Sequence, residues 1–227
     1  MPLIGSAGGA DGFMVSARQL GLGFGSAEGR VRSERIAIPD ADLEFFPELF
    51  SRSEADRIFP LLLAETPWEQ DSIAYYGKRH NLPRLTCWYG DAGAHYTYSK
   101  IAKEPRPWTG VLSDVKARVE AAAEFQFNSV LLNLYRSGGD AVSWHQDNEP
   151  ELGNKPTIAS LSLGAERVFQ MRHVTRADLP RKDILLTNGS LLVMRGETQR
   201  YWKHQIPRTA KPITERINLT FRYISRT

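Results

Sequence analysis

Arg216-Ile217-Asn218-Leu219-Thr220-Phe221-Arg222 alternates polar and apolar side chains without a break. Successive residues of a β-strand point to opposite sides, so Arg216, Asn218, Thr220 and Arg222 share one surface while Ile217, Leu219 and Phe221 share the other. A strand this apolar on one face, near the end of a chain rich in β-runs, is expected well inside a sheet. Two guanidinium groups held there require anionic partners, because the planar arginine fork matches a carboxylate or phosphate bidentately. The expected ligand is a small dianion. For the segment by itself, the plain alternative is a solvated surface strand with ordinary salt bridges.

The neighbourhood supports a β-rich fold. Short Leu-rich or β-branched runs, NSVLLNLY, TIASLSLG, RVFQMRH, DILLT and SLLVM, precede the arginine strand and are separated by the turn signals SGGD, NGS and RGE. That pattern predicts a double-sheet sandwich or barrel with helices packed outside it. Two helices are expected. One opens at a capping box formed by Ser53 and Asp56, buries Ile58, Leu61 and Leu62, and carries Pro60 near its first turn. The other runs from about Ser113 to Phe125, with Val115, Val119 and Ala122 on one side. Residues 1–35, rich in Gly, Ala and Ser and without periodicity, read as a tail lacking fixed structure, and 36–227 as the domain.

Composition bounds the function without choosing it. The 227 residues are 41% hydrophobic and 24% charged, the range of an ordinary globular chain. Cys87, the only cysteine, excludes an internal disulfide and any zinc site built from several thiolates. It reads as a small buried residue in a reducing compartment. No apolar run is long enough to cross a bilayer and no secretory leader is visible, so an intracellular protein is expected, cytoplasmic in a bacterium or nuclear in a eukaryote; a monomer is expected as well. A net charge of +3 is too small to identify a polyanionic partner.

Two further polar constellations accompany the arginine strand. In His145-Gln146-Asp147 an extended backbone projects the imidazole and carboxylate to one side, and His204 lies downstream on another expected strand. Two His and one carboxylate leave three octahedral positions open, the facial arrangement of non-haem Fe(II) oxygenases. With 26 acids and five histidines in the chain, one His-x-acid by chance has roughly even odds, and a satisfied core or surface histidine is the plain reading of His204. Asn133 and Tyr135 form another same-face pair, able to donate hydrogen bonds to a carboxylate or keto oxygen, or simply to pair across strands.

Order and spacing bind these signals: N-x-Y, then H-x-D, then His204, then R-x-N-x-T-x-R beginning twelve residues later. From Ile36 to Ile224 the pattern resembles the AlkB-type Fe(II)/2-oxoglutarate-dependent dioxygenases, in the branch that repairs alkylated nucleic acid. The resemblance implies a double-stranded β-helix, or jelly-roll, core that is mainly β with flanking helices. It assigns Fe(II) to His145, Asp147 and His204. It assigns the distal carboxylate of 2-oxoglutarate to Arg216, with Arg222 near the other end of that molecule and Asn133, Tyr135 and Thr220 assisting; O2 is the remaining reactant.

Further matches at residues 83–91 and 96–99 resemble the family's nucleotide-recognition lid, placed at about 68–100. There Tyr96 and Tyr98 are candidates to contact an extruded base and Arg84 to support the lid, with aromatic strand packing as the alternative. Glu149 matches an acid that reads the damaged base and would favour a cationic, N-methylated ring. Tyr75–His80 resembles a hairpin inserted into duplex DNA, with Tyr76 as the wedge and Lys78, Arg79 and Arg136 near phosphates. His95 and His173 match no ligand position and read as structural.

The implied activity is oxidative demethylation of 1-methyladenine and 3-methylcytosine in single- or double-stranded DNA, coupled to decarboxylation of 2-oxoglutarate and releasing formaldehyde, succinate and CO2. The same chemistry on RNA or protein is the alternative, followed by a non-catalytic jelly roll that recognises damaged nucleic acid.

Overall fold

The computed structural model describes residues 31–75, 78–94, 96–98 and 101–225. The chain begins with β1 (Glu34–Arg35), β2 (Asp42–Phe46) and helix α1 (Arg52–Glu65). A hairpin of β3 (Ser72–Tyr75) and β4 (Lys78–Asn81) leads to β5 (Leu85–Gly90), then to a second hairpin of β6 (Tyr96–Tyr98) and β7 (Ile101–Lys103) and to helix α2 (Gly110–Ala123). Thereafter come β8 (Ser129–Tyr135), β9 (Val142–His145), a 3-10 turn at Pro150–Leu152, β10 (Ile158–Gly164), β11 (Arg167–His173), β12 (Lys182–Leu186), β13 (Leu191–Arg195), the short helix α3 (Thr198–Tyr201), β14 (Trp202–Ile206) and β15 (Arg216–Arg222). Each expected C-terminal run is a strand. The two short helical turns among them carry no apolar period in the sequence.

The strands form a larger sheet in the order β1-β2-β13-β10-β15-β8-β5 and a smaller one in the order β12-β11-β14-β9. This is a jelly roll. The arginine strand β15 lies inside the larger sheet between β10 and β8, with Asn218 opposite both Ser162 and Asn133. Its alternation divides two cores. Ile217, Leu219 and Phe221 join Leu132 and Leu134 of β8 and Leu161 and Leu163 of β10 beneath Ile58, Leu62, Val115 and Val119 of the helices. Full burial of each such side chain stabilises by about 1.5–3 kcal/mol. The opposite face meets the smaller sheet around Phe169, Met171, Met194, Trp202 and Ile206, and there the polar half of β15 lines a cavity.

The helices differ from the sequence reading at their starts. Ser51 is the N-cap of α1 and Glu54 completes the capping box, two residues ahead of the Ser53/Asp56 pair expected to do so. Glu54 wins because its carboxylate reaches the Ser51 N–H at 2.8 Å and Arg118 of α2 at 2.7 Å. Pro60 consequently falls in the helix interior instead of the first turn. It stands on the exposed side, where water can satisfy the carbonyl left without its N–H donor. Helix α2 begins at Gly110, three residues early, because Thr109 caps it through the Leu112 N–H at 3.2 Å. At the N-terminal boundary, Glu34–Arg35 pairs with β2, so sheet structure starts within the stretch read as tail.

The NGS turn between β12 and β13 depends on Gly189, which has φ +84°. A Cβ there would be driven into the Phe50 carbonyl oxygen, and the Gly189 N–H donates to Ser162 O at 2.8 Å. Gly189→Ala combines a left-handed backbone cost with a clash against fixed main chain. Its expected effect is a loss of about 2 kcal/mol or more of unfolding free energy, read from urea denaturation; an unchanged midpoint would show that the turn can relax.

Candidate active site

The cavity between the sheets has a volume of about 490 Å³ and is lined by Asn133, Tyr135, His145, Asp147, Glu149, His204, Arg208, Arg216, Asn218, Thr220 and Arg222, among others. The β9–β14 ladder sets His145 directly opposite His204, and the ligand atoms of His145, Asp147 and His204 all lie within 4.8 Å of one another. His145 Nδ1 is 2.8 Å from the Ser143 carbonyl, so that nitrogen carries the proton and Nε2 keeps its lone pair for a metal. His204 is buried against Phe169, whose ring stacks on it with centroids 5.0 Å apart.

Electrostatics prepares the same three groups for a cation. Burial works to raise the Asp147 carboxyl, but the charge of Arg222, then of His204 and His145, outweighs it and holds Asp147 below the ordinary carboxylate range. Arg222 Nη2 donates to Asp147 Oδ1 at 2.7 Å. Burial, and next the neighbouring His145, push His204 down to about 3 against the pull of Asp147. At neutral pH the group is therefore a carboxylate with a neutral buried imidazole.

At the other end, Arg216 is 1% exposed. Its Nη2 donates to Ser162 Oγ at 2.9 Å, while Nε and Nη1 have no hydrogen-bond partner among the described residues. Its guanidinium lies 5.0 Å from the centre of the Tyr135 ring, and Arg167 lies 5.5 Å from the same ring. Burial lowers Arg216 to about 10, with Tyr135 partly opposing it and Arg167 adding to it. A buried guanidinium with an open donor edge is costly unless an anion completes it. Thr220 Oγ1 donates to Asn218 Oδ1 and Asn218 Nδ2 to Ser160 Oγ, both at 2.8 Å, which fixes the floor between the two ends.

The other candidates disperse. Arg84 is buried; it donates to Asn133 Oδ1 at 2.8 Å and so braces the cavity wall. Glu149 lines the cavity, and its buried Oε2 has no partner among the described residues. Tyr96 and Tyr98 belong to β6, with side chains outside the described residues, as are those of Lys78 and the whole of Tyr76 and His95. Arg79 is exposed and donates to Ser72, whereas Arg136 is already paired with Asp140 at 2.8 Å. Leu85–Gly90, in the middle of the stretch read as lid, forms the edge strand of the larger sheet. His173 packs between Tyr201 and Trp202, and Cys87 lies in the helix-side core.

Three residues at the site were missed. Arg167 reads as one more strand arginine, yet its Nη2 holds the carbonyls of Asp140 and Pro207 at 2.9 and 2.5 Å. Gln146 and Gln199 cross-link the metal segment. Only the position of Gln146 inside H-x-D could have drawn attention to it.

A jelly roll presenting two imidazoles and a carboxylate at one end of a cavity, and an unsatisfied buried guanidinium at the other, defines the class: a facial metal site with a dicarboxylate-sized anion site beside it. Residues 42–222 match the model of the 2OG-Fe(II) oxygenase superfamily, and the chain belongs to that superfamily. It is 42% identical over 186 residues to the alpha-ketoglutarate-dependent dioxygenase alkB homolog 3 of Bos taurus, covering 78% of this chain and 64% of that protein. It is 40% identical to the DNA oxidative demethylase ALKBH2 of Mus musculus over 78% of this chain and 77% of that one. The chain thus spans just under two thirds of the length of the alkB homolog 3 proteins it matches. The solved structure of OsALKBH1 shares the fold, with a TM-score of 0.57, 18% identity, and coverage of 85% of this chain and 100% of that one. Among the described residues, no helix is long and apolar enough to cross a membrane.

The family name implies Fe(II) and 2-oxoglutarate, and the residues fit both. Nitrogen and oxygen donors suit a ferrous ion, and the open Nε and Nη1 of Arg216 offer the donor edge a terminal carboxylate needs.

Proposed function

We propose that the chain is an Fe(II)- and 2-oxoglutarate-dependent oxidative demethylase of alkylated DNA bases, acting on 1-methyladenine and 3-methylcytosine. The observation that carries this reading is a single cavity holding the His145/Asp147/His204 group, the unsatisfied edge of Arg216 and the unsatisfied Oε2 of Glu149. The name of one similar protein, the DNA oxidative demethylase ALKBH2, supports DNA as the substrate.

When bound, Fe(II) and 2-oxoglutarate supply the oxidising chemistry: one atom of O2 goes to succinate as CO2 is lost, and the other enters a C–H bond of the N-methyl group. The cationic N-hydroxymethyl product loses the hydroxyl proton and breaks its N–C bond, giving formaldehyde and the neutral base with its ring-nitrogen lone pair restored. The chain's own part is positional. His145, Asp147 and His204 hold the metal on one side, leaving the other open to reactants. Arg216 takes the distal carboxylate, with Asn133, Tyr135 and Thr220 assisting; Arg222 acts at the near end while holding Asp147. Glu149 draws in a base carrying positive charge, because a carboxylate oxygen that is buried with no partner among the described residues is best satisfied by a cationic ring. Tyr96 and Tyr98 are assigned to stacking on the extruded base, and Arg84 steadies the cavity wall through Asn133. Tyr76 acts as the duplex wedge.

The test offers purified protein, with Fe(II), ascorbate and 2-oxoglutarate, methylated DNA, methylated RNA and an unmodified control. Formaldehyde and succinate above the control are expected with methylated DNA. Turnover on RNA alone would reassign the substrate, and none on either would sink the enzyme reading for these bases. Glu149→Gln keeps shape but removes charge, so kcat/KM for the cationic bases should fall about 10–100-fold, the worth of a charge-assisted contact. An equal effect on a neutral alkylated base would remove Glu149 from base reading.

A further inference from the structure

We infer that Gln146 and Gln199 are a reciprocal pair of positioning residues that sets Asp147 for the metal, an inference resting on the reading of His145, Asp147 and His204 as ligands. Strand β9 ends at His145, and its pairing with β14 is irregular between His204 and Ile206. Asp147 therefore stands past the end of its strand, where no ladder holds it. Side-chain amides take over. Gln199 Oε1 accepts the Asp147 N–H at 3.0 Å, and Gln146 Nε2 donates to the carbonyls of Gln199 and Arg200 at 2.7 and 3.1 Å. The backbone partners force both amide orientations, since an N–H needs an oxygen and a carbonyl needs an N–H.

Gln199 is itself fixed. It is 1% exposed, and its Nε2 lies 3.4 Å from Met194 Sδ. Its neighbour Thr198 donates to Arg195 O at 2.6 Å and accepts the Asp42 N–H at 2.9 Å, which ties α3 to β13 and β2 of the larger sheet. A hydrogen-bonded path thus runs from the aspartate to the rigid sheet. The helix that carries Gln199 leads directly into β14 and His204, so the pair also registers the His145–Asp147 segment against the third ligand. Groups that orient metal ligands govern affinity because a misplaced carboxylate must reorganise to bind.

The test titrates the metal-free full-length chain with Co(II) under argon and follows visible absorption, with Asp147→Ala as the reference lacking the site. Gln199→Met, close in volume but without the acceptor, should bind Co(II) about 10–100-fold more weakly than wild type. Gly189→Ala destabilises the fold at a turn packed on Phe50, outside the path from Asp147 to the sheet, and its affinity should stay within about threefold of wild type, well inside the effect expected for an orienting group. Unchanged affinity in Gln199→Met overturns the inference. So do losses in the two variants that track their falls in unfolding temperature. Should Gln199→Met not fold, Gln146→Met at a half-buried site decides by the same titration. If wild type shows no Co(II) site that Asp147→Ala removes, the metal reading fails first and separately.

Discussion

On the demethylase reading proposed above, replacing Asp147 with alanine should abolish turnover: formaldehyde release from methylated DNA falls by about 10³-fold or more, since loss of an ionic metal ligand removes the electrostatic term that dominates such sites. The structure also says what else changes. Asp147 is 3% exposed, with His204 Nε2 3.8 Å away and Arg222 Nη2 at 2.7 Å. Without the carboxylate two imidazoles and a guanidinium face one another with no anion between them. Removing one partner of a buried ion pair costs about 3–5 kcal/mol, so the alanine variant is expected to unfold at lower urea as well as to lose metal. Asp147→Asn separates the effects, because it keeps the volume while losing the charge. DNA binding by both variants, read by anisotropy, should remain near wild type. Turnover retained in either would mean that another residue supplies the anionic ligand.

Arg216→Met should have the second largest effect and the opposite stability signature. Burial has already lowered this guanidinium to about 10, and two of its nitrogens have no partner among the described residues. A charge held on such terms destabilises the empty protein, so its replacement by an apolar side chain of similar length should leave urea stability unchanged or improved. Co-substrate binding moves the other way. A desolvated arginine–carboxylate contact is worth roughly 2–5 kcal/mol, so the 2-oxoglutarate KM should rise about 10²-fold or more, with kcat at saturation less affected. An unchanged KM would take Arg216 out of the co-substrate site. A fall in kcat alone would make it a structural residue of the cavity.

The two variants divide the cavity into a metal end and an anion end, and the sequence made that division visible to different degrees. The alternation of residues 216–222 determined that Arg216 and Arg222 share a face, because strand geometry admits no other arrangement. It did not determine that they do different work. That follows from register: Arg216 sits opposite Tyr135 and beside Ser162, whereas Arg222, six residues along the same face, reaches Asp147. Glu149 was legible only through the family resemblance, and the burial of its Oε2 with no partner among the described residues was not legible at all. Ser53 and Asp56 show the opposite failure. Their spacing satisfied a capping pattern, yet Ser51 and Glu54 satisfied it with an additional ion pair to α2, and a contact between helices carries no local signature.

By itself the sequence determined the two long helices and the C-terminal strands, the face that each β15 residue takes, and a donor set of nitrogen and oxygen in place of sulfur. These depend on short-range rules, the two-residue strand period and the chemistry of side chains present or absent. Only the tertiary structure decided that His145 stands across from His204, that Arg216 is left with an open edge, and that Gln199 holds Asp147 where β9 has run out. Those relations join residues about fifty or more positions apart. Sheet order and packing set them, and a pattern read along the chain does not contain either.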